Sequence, residues 1–271
     1  MNNWNFFEYI GINTYNGSKE IEEFKEHMKI VGIKNYKIKI GKNFNKKNIG
    51  DKDNTFQEIY NYDKSCCGEV CRELSKCNID FIKDAYSKGC NNIFIFEDDA
   101  RFDLPFNFKK LNRIVEWLKK NKDWEAFYFG YILHPNPLLI PISLDIGKLF
   151  DPLCAHAIVI HRRGMEKILD YVNRNGYPDN HIDKFYKNLL NHKYGSLPVM
   201  NYQCNNPALY KKWLDKLPKN IGIQNMNYTS FTKIENSWWI VILVLGCIIG
   251  FLIIFLIIYY NWSKKRKNRR K

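Results

Sequence analysis

The N-terminal part of the chain alternates between short apolar runs and an amphipathic stretch. Residues 6–13, FFEYIGIN, and residues 36–40, YKIKI, have the apolar content and the length of strands. Between them, residues 18–33 place apolar side chains at helical spacing, with one apolar face made of Ile21, Phe24, Met28 and Val31. The pattern therefore predicts a strand, a helix and a second strand.

A second helix and a continuous apolar strand follow a polar loop. Residues 69–88 have helical periodicity and are followed by Gly89, a residue that favours the C-terminus of a helix. Residues 93–96, IFIF, form an uninterrupted apolar run, which is typical of a strand buried on both faces of a parallel sheet. This alternation predicts an α/β, Rossmann-like single domain with a mostly parallel central sheet.

The hydropathy changes sharply near the C-terminus. Residues 238–260 contain no charged side chain, and as a helix they would span roughly 35 Å, enough to cross a hydrocarbon core of about 30 Å. A basic block, residues 264–271, follows, and the positive-inside rule places such a tail in the cytoplasm. Residues 1–20 lack the apolar core of a signal peptide. We expect a single-pass C-terminal anchor, while the side on which the large domain lies stays open.

The net charge of +14 does not point to a nucleic-acid partner. Seven of the 42 Lys and Arg residues lie in the basic tail, and the remaining 35 against 28 acidic residues leave a net charge of about +7 for the rest of the chain. The eight cysteines include a cluster at Cys66, Cys67, Cys71 and Cys77 that lacks paired CxxC knuckles. A zinc site and ordinary packing or a disulfide both remain open for this cluster.

Three consecutive carboxylates, Glu97, Asp98 and Asp99, come directly after the IFIF run. In α/β sheets, ligands bind beyond the carboxyl ends of the strands, and carboxylate oxygens at short spacing suit Mg²⁺ or Mn²⁺. The alternative is a strand end whose acids face water or pair with Arg101. The pattern alone leaves the choice open.

The region around this triplet resembles glycosyltransferase family 25, the lipooligosaccharide and procollagen galactosyltransferase group. In that family a Gly-Glu-x-x-Cys-x-x-Ser-His stretch begins a helix, and a hydrophobic strand then ends in Glu-Asp-Asp. Here Gly68, Glu69, Cys71 and Ser75 keep the first pattern, with Lys76 in place of the His.

Four later segments resemble the family in the same order. They are residues 125–131, residues 153–169 with His161 in place of a Ser, residues 181–183, and residues 198–203. The resemblance covers residues 6–207. It implies a GT-A-like fold for a catalytic domain of residues 1–210. The hydropathy and charge pattern of the remaining chain predicts a stalk (211–236), a transmembrane helix (237–260) and a polybasic tail (261–271).

The resemblance also implies a chemistry, in which a sugar moves from a nucleotide-sugar donor, expected to be a UDP-sugar, to a hydroxyl on a glycan, lipid or protein. A divalent cation, Mn²⁺ or Mg²⁺, would stabilise the diphosphate leaving group. Asp99 is the first metal ligand that it implies, with Glu97 and His181 beside it, and His156 is a further candidate. Asp98 or Glu97 would meet the ribose or a metal-bound water.

The remaining site residues follow from the same resemblance. Asp183 is the candidate base for the acceptor hydroxyl, and Asp179 is a weaker one. Arg162 is a candidate for gripping the diphosphate, and Ser75 and Gln203 are candidates for the donor site. Two other functions stay open: a catalytically degenerate transferase fold used for attachment or scaffolding, and a metal-dependent nuclease or nucleotidyltransferase.

Overall fold

The structure, a computed structural model, describes residues 3–15, 20–41, 68–133, 138–178 and 181–203. The predicted stalk, the predicted transmembrane helix, the basic tail, Asp179, Cys66 and Cys67 lie outside these residues. None of the helices within the described ranges combines the length and the apolar character needed to cross a membrane.

Within these described ranges, ten strands and five α-helices follow a short 3-10 helix, Asn3–Phe6. The strands are β1 (Tyr9–Tyr15), β2 (Lys37–Gly41), β3 (Asn92–Glu97), β4 (Ala100–Phe102), β5 (Ala126–Leu133), β6 (Leu139–Pro141), β7 (Ile146–Leu149), β8 (Pro152–His161), β9 (Lys193–Ser196) and β10 (Asn201–Gln203). The helices are α1 (Glu20–Ile30), α2 (Gly68–Ser87), α3 (Phe108–Lys120), α4 (Arg162–Asn175) and α5 (Ile182–Leu189).

Eight of the strands form one sheet in the order β2-β1-β3-β8-β5-β9-β7-β6. The pairs β1–β2, β1–β3 and β5–β9 are parallel, and the other four pairs are antiparallel. Six strands therefore run in one direction, while β8 and β7 run against them. The predicted α/β fold with a mostly parallel sheet is confirmed at this level, although the sheet is mixed.

Helices cover both faces of the sheet. On one face, α1, α3 and Trp4 pack with the alternate strand residues Phe94, Phe96, Phe127 and Phe129 into a continuous core. On the other face, α2 packs against β1, β2 and β3, and also contacts α4 and α5. Because apolar side chains of β3 point to both faces, the strand reads as an uninterrupted apolar run.

The predicted IFIF strand is confirmed, and all four of its side chains are fully buried. The first predicted strand begins later than expected, at Tyr9, because Asn3–Phe6 forms the 3-10 helix that carries Trp4 into the core. The two predicted helices are present, with the first shorter than expected.

A second, two-stranded sheet begins one residue after the acidic triplet. Its strands β4 and β10 are antiparallel, with Gln203 opposite Ala100 and Asn201 opposite Phe102. Asp103, which follows β4, accepts a hydrogen bond from the Tyr202 hydroxyl at 2.5 Å. This bond ties β10 to the segment that follows the acidic triplet.

Asp103 predicts a pH dependence of stability. Burial raises the pKa of its carboxyl from 3.8 to about 6, while the Tyr202 hydrogen bond and Lys110 act in the opposite direction. Because the folded state holds this proton more tightly, the contribution is present below about pH 4 and is lost as the pH rises through 6, by about 2 to 3 kcal/mol. Asp103→Asn should remove this fall, so its gain in melting temperature over the wild type should grow from pH 4 to pH 7.

The control is Asp123→Asn, since the Asp123 side chain is 82% exposed and pairs with Arg163 at the surface. Because this pair is at the surface, its loss should change the melting temperature at pH 7 only slightly. If the melting temperatures of Asp103→Asn and of the wild type changed in parallel with pH, Asp103 would not be the group responsible.

Candidate active site at the carboxyl edge of the sheet

The register between β1 and β3 sets the position of the first carboxylate. Asn13 is the partner of Glu97, and both side chains leave the sheet on the face that carries α2, because Gly11, two residues before Asn13, lies against the α2 residue Phe81. Both polar atoms of the Asn13 amide are buried and have no hydrogen-bond partner within the described part of the chain. Buried amides are normally satisfied, so this amide is a candidate ligand-binding group.

The second carboxylate of the triplet, Asp98, is bound by a side chain of β1. Asp98 is buried and accepts a hydrogen bond of 2.5 Å from the Thr14 hydroxyl. The Arg101 guanidinium donates to the Asp98 backbone carbonyl at 2.7 Å, and its Nη2 lies 3.9 Å from Glu23. Asp98 therefore fixes the turn after β3 to the end of β1.

Asp183, far away in sequence, is held against the beginning of β8, which lies beside the end of β3 because the two strands are antiparallel. Its Oδ2 accepts from the backbone N–H of Cys154 at 3.2 Å, and its Oδ1 accepts from the N–H of Lys184 at 2.7 Å. Cys154 has a φ of 66°, a left-handed conformation that is uncommon for a residue with a side chain. Because it lies in the first turn of α5, Asp183 also interacts favourably with the helix dipole.

Electrostatics show that the carboxylates from the two segments share one region. The pKa of the Cys154 thiol is raised well above its usual value, first by burial and then by Asp183, Glu97 and Asp99. Burial and Asp183 raise the pKa of Tyr128. The structure therefore brings Asp183 to the edge of the sheet that carries the acidic triplet.

A neutral histidine lies deeper in the same edge. Burial lowers the pKa of His156 to about 4, so its imidazole is uncharged at neutral pH. Its Nε2 lies 3.4 Å from the carbonyl oxygen of Asn201. A Cβ on Gly130 would approach this Nε2 to 2.2 Å, so the close packing of β5, β8 and β10 requires glycine there.

Three further predicted site residues lie on segments that adjoin the acidic triplet, Asp183 or the strands β1 and β3. The backbone of Gln203 runs beside Ala100, the neighbour of Asp99. His181 is the N-cap residue of α5, two positions before Asp183. Ser75 is fully buried in α2, the helix that packs on β1 and β3.

Arg162 is not brought to the acidic residues. It follows β8, which runs against β3, and its backbone N–H donates to Asn91, just before β3 begins. Its guanidinium lies 4.2 Å from the centre of the Tyr86 ring and 3.5 Å from Glu166. Because β3 is six residues long, Arg162 lies at the other end of the strand from Glu97, roughly 17 Å away.

The carboxylates predicted as metal ligands correspond to one known mode of metal binding. Among the residues that the structure describes, no three His, Cys, Asp or Glu side chains form a group able to hold an ion by themselves. Mg²⁺ and similar ions are commonly held by one or two carboxylates together with substrate phosphates and water. Glu97 and Asp99 are the carboxylates predicted to act in this open mode.

The sequence pattern did not identify Asn13, Thr14, Tyr128 or Cys154 as residues of the site. Asn13 and Thr14 matter because of the β1–β3 register, and Cys154 because of its backbone conformation. The position of Asn13 at the carboxyl end of the first predicted strand is the one signal that could have indicated it.

No family model matches the sequence, and no curated protein matches it. Solved structures that align with the chain include a mannose-1-phosphate geranyltransferase from Thermus thermophilus (8% identity, 69% of this chain and 73% of that chain, TM-score 0.41). They also include a protein from STIV (10%, 73% and 94%, TM-score 0.40) and a glycosyltransferase involved in the glycosylation of the major capsid of PBCV-1 (9%, 76% and 99%, TM-score 0.38). Likenesses at these TM-scores do not assign an activity.

The bond between Thr14 and Asp98 gives a stability test. Thr14→Val keeps the side-chain shape but leaves a buried carboxylate without its hydroxyl donor, which should cost about 1 to 3 kcal/mol. Thr14→Ser restores the hydroxyl and should recover most of the loss. Thermal melts of the three proteins check this, and equal melting temperatures for Val and Ser would show that the hydrogen bond is not what matters.

Proposed function

We propose that the protein is a membrane-anchored, metal-dependent glycosyltransferase. It would transfer a sugar from a nucleotide-sugar donor, with a UDP-sugar as the first candidate, to a hydroxyl of a glycan, lipid or protein. The resemblance to glycosyltransferase family 25 supplies this reaction class. The membrane anchor is proposed from the uncharged residues 238–260 and the basic tail.

One observation carries the proposal. Asp183, in α5, accepts a hydrogen bond from the backbone N–H of Cys154, which lies in β8, the strand that pairs with β3; Glu97 ends β3 and Asp99 lies in the turn that follows. Carboxylates that gather at one sheet edge repel each other and are stabilised by a cation that binds there. The gathering of these residues therefore supports a site for a cation and the anionic group that it carries.

On the donor side, Glu97 and Asp99 would hold the cation, with His181 as a further candidate at the start of α5. When bound, the cation neutralises the charge that develops on the diphosphate leaving group. The unsatisfied amide of Asn13 lies beside Glu97 and can both donate to and accept from a donor substrate. Asp98 would act indirectly, by fixing the turn that carries Asp99.

On the acceptor side, Asp183 would be the base. In an inverting transfer, the acceptor oxygen bonds to the anomeric carbon, the bond from that carbon to the diphosphate breaks, and the hydroxyl proton moves to Asp183. The two backbone N–H groups that bind Asp183 hold its carboxylate in one orientation. Such orientation reduces the entropy lost on reaching the transition state.

Two variants of the full chain in detergent test the proposal. With Mn²⁺ and a panel of nucleotide sugars, we expect release of nucleoside diphosphate from at least one donor. Asp183→Asn should lower transfer to an acceptor by about 10²- to 10⁴-fold, the usual contribution of a general base. Asp99→Asn should lower it by a comparable or larger factor, because it removes a carboxylate from the cation.

Asp123→Asn is the matched control, because this exposed acid lies just before β5 and therefore at the opposite edge of the sheet. It should leave turnover unchanged, and thermal melts should show that all three variants are folded. Full activity in both Asp99→Asn and Asp183→Asn would refute the proposed site. Turnover of none of the donors would favour the degenerate, attachment-type alternative.

A further inference from the structure

The hairpin formed by β6 and β7, together with the residues that flank its strands, exposes five large apolar side chains. Leu144, in the turn, is 83% exposed, and the other members are 36% to 47% exposed. They are Leu138, Ile140, Ile142 and Phe150. An exposed group of this size on one hairpin is unusual for a surface that only faces water.

Strand geometry places part of this group on one face. Ile140, in β6, is opposite Lys148 of β7, so the two side chains point the same way. Leu138 and Phe150 flank the two strands, and Ile142 and Leu144 lie in the turn between them. The hairpin also buries Ile146 and Leu149 against the domain.

Pairing with a second copy through this edge is disfavoured. The strand at the edge, β6, contains Pro141, which has no N–H to offer a partner strand. Lys148, in β7, adds a positive charge beside the exposed apolar side chains, with its Nζ 6.0 Å from the centre of the Phe150 ring. Two like charges would meet across a symmetric contact.

The same composition suits the surface of a bilayer. An apolar tip can enter the region between headgroups and acyl chains, while a lysine beside it keeps its ammonium at the headgroups. A positive charge at this level is also attracted by anionic lipids.

The length of the segment before the uncharged run limits how far the domain can lie from a membrane that this run crosses. Residues 204–237 are 34 in number and separate the last described strand from the uncharged run that begins at residue 238. Even fully extended, 34 residues reach no more than about 120 Å. If residues 238–260 cross a membrane, the hairpin can never be farther from it than this linker and the domain itself allow.

We propose that the β6–β7 hairpin is a membrane-docking element whose tip, around Leu144, enters the bilayer interface. The proposal rests on the proposed membrane attachment and not on the transfer reaction. Because the turn follows β6, which runs in the same direction as β3, the tip lies at the carboxyl edge of the sheet, the edge that also carries Glu97.

The experiment uses the full chain reconstituted in vesicles that contain anionic and zwitterionic lipid. The photoreactive residue benzoylphenylalanine replaces Leu144 in one protein and Ile40 in the other. Ile40 is the matched control, because it is an apolar side chain, 64% exposed, on β2, the edge strand that is farthest from β6 in the strand order. After irradiation, mass spectrometry identifies lipid adducts and gel electrophoresis identifies crosslinked dimers.

We expect lipid adducts from position 144 and a several-fold lower yield from position 40. Lys148→Glu should lower the yield at 144 several-fold on anionic vesicles and much less on purely zwitterionic ones. A dimer as the main product at 144, equal lipid yields at the two positions, or no lipid adduct at 144 would overturn the proposal. Carbonate extraction of the same vesicles tests the anchor separately, so a retained chain without an adduct at 144 refutes the hairpin proposal alone.

Discussion

The parallel pairing of β1 with β3 determines where the charged groups of the site lie. Five residue pairs in register, from Tyr9 with Ile93 to Asn13 with Glu97, align the ends of the two strands. A shift by one residue would send Glu97 to the α1 face and remove Asp98 from Thr14. At the start of the strands the register is anchored by Asn92, which accepts a hydrogen bond from the backbone N–H of Glu8 and donates one to the carbonyl of Phe6.

This alignment divides the acidic triplet between two tasks. Asp98 is buried and bound by Thr14 and fixes the turn, whereas Glu97 and Asp99 act electrostatically on the region around Cys154. Asp183 reaches the same region because the Cys154 backbone adopts a positive φ and presents its N–H to the carboxylate. One part of the triplet thus fixes the turn, and the other part lies at the edge of the sheet where the proposed ligand would bind.

Sequence periodicity predicted the elements of this domain better than their arrangement. The buried strand β3 and the helices α1 and α2 follow from local apolar patterns. The antiparallel insertion of β8 between β3 and β5 does not, because the direction of a strand in a sheet depends on pairings distant in sequence. Arg162 illustrates the consequence, since the reversed β8 carries it away from the acidic edge.

The residues of the candidate site were likewise predictable only where local sequence indicated them. Glu97 and Asp99 could be identified because they directly follow a recognisable strand. Asn13, Tyr128 and Cys154 could not be assigned, because each gains its significance from a contact with a residue more than 20 positions away. The β6–β7 hairpin was also missed, since its alternating apolar residues resemble an ordinary half-buried strand until their exposure is known.

The central claim is that the carboxyl edge of the sheet binds a nucleoside diphosphate through a divalent cation. Calorimetric titration of UDP into the full chain, once with Mn²⁺ and once with a chelator, tests this claim directly. The account predicts saturable binding with Mn²⁺ and its loss when the metal is removed. Equal binding of UDP under both conditions, or no binding of any nucleoside diphosphate in the presence of Mn²⁺, would contradict it.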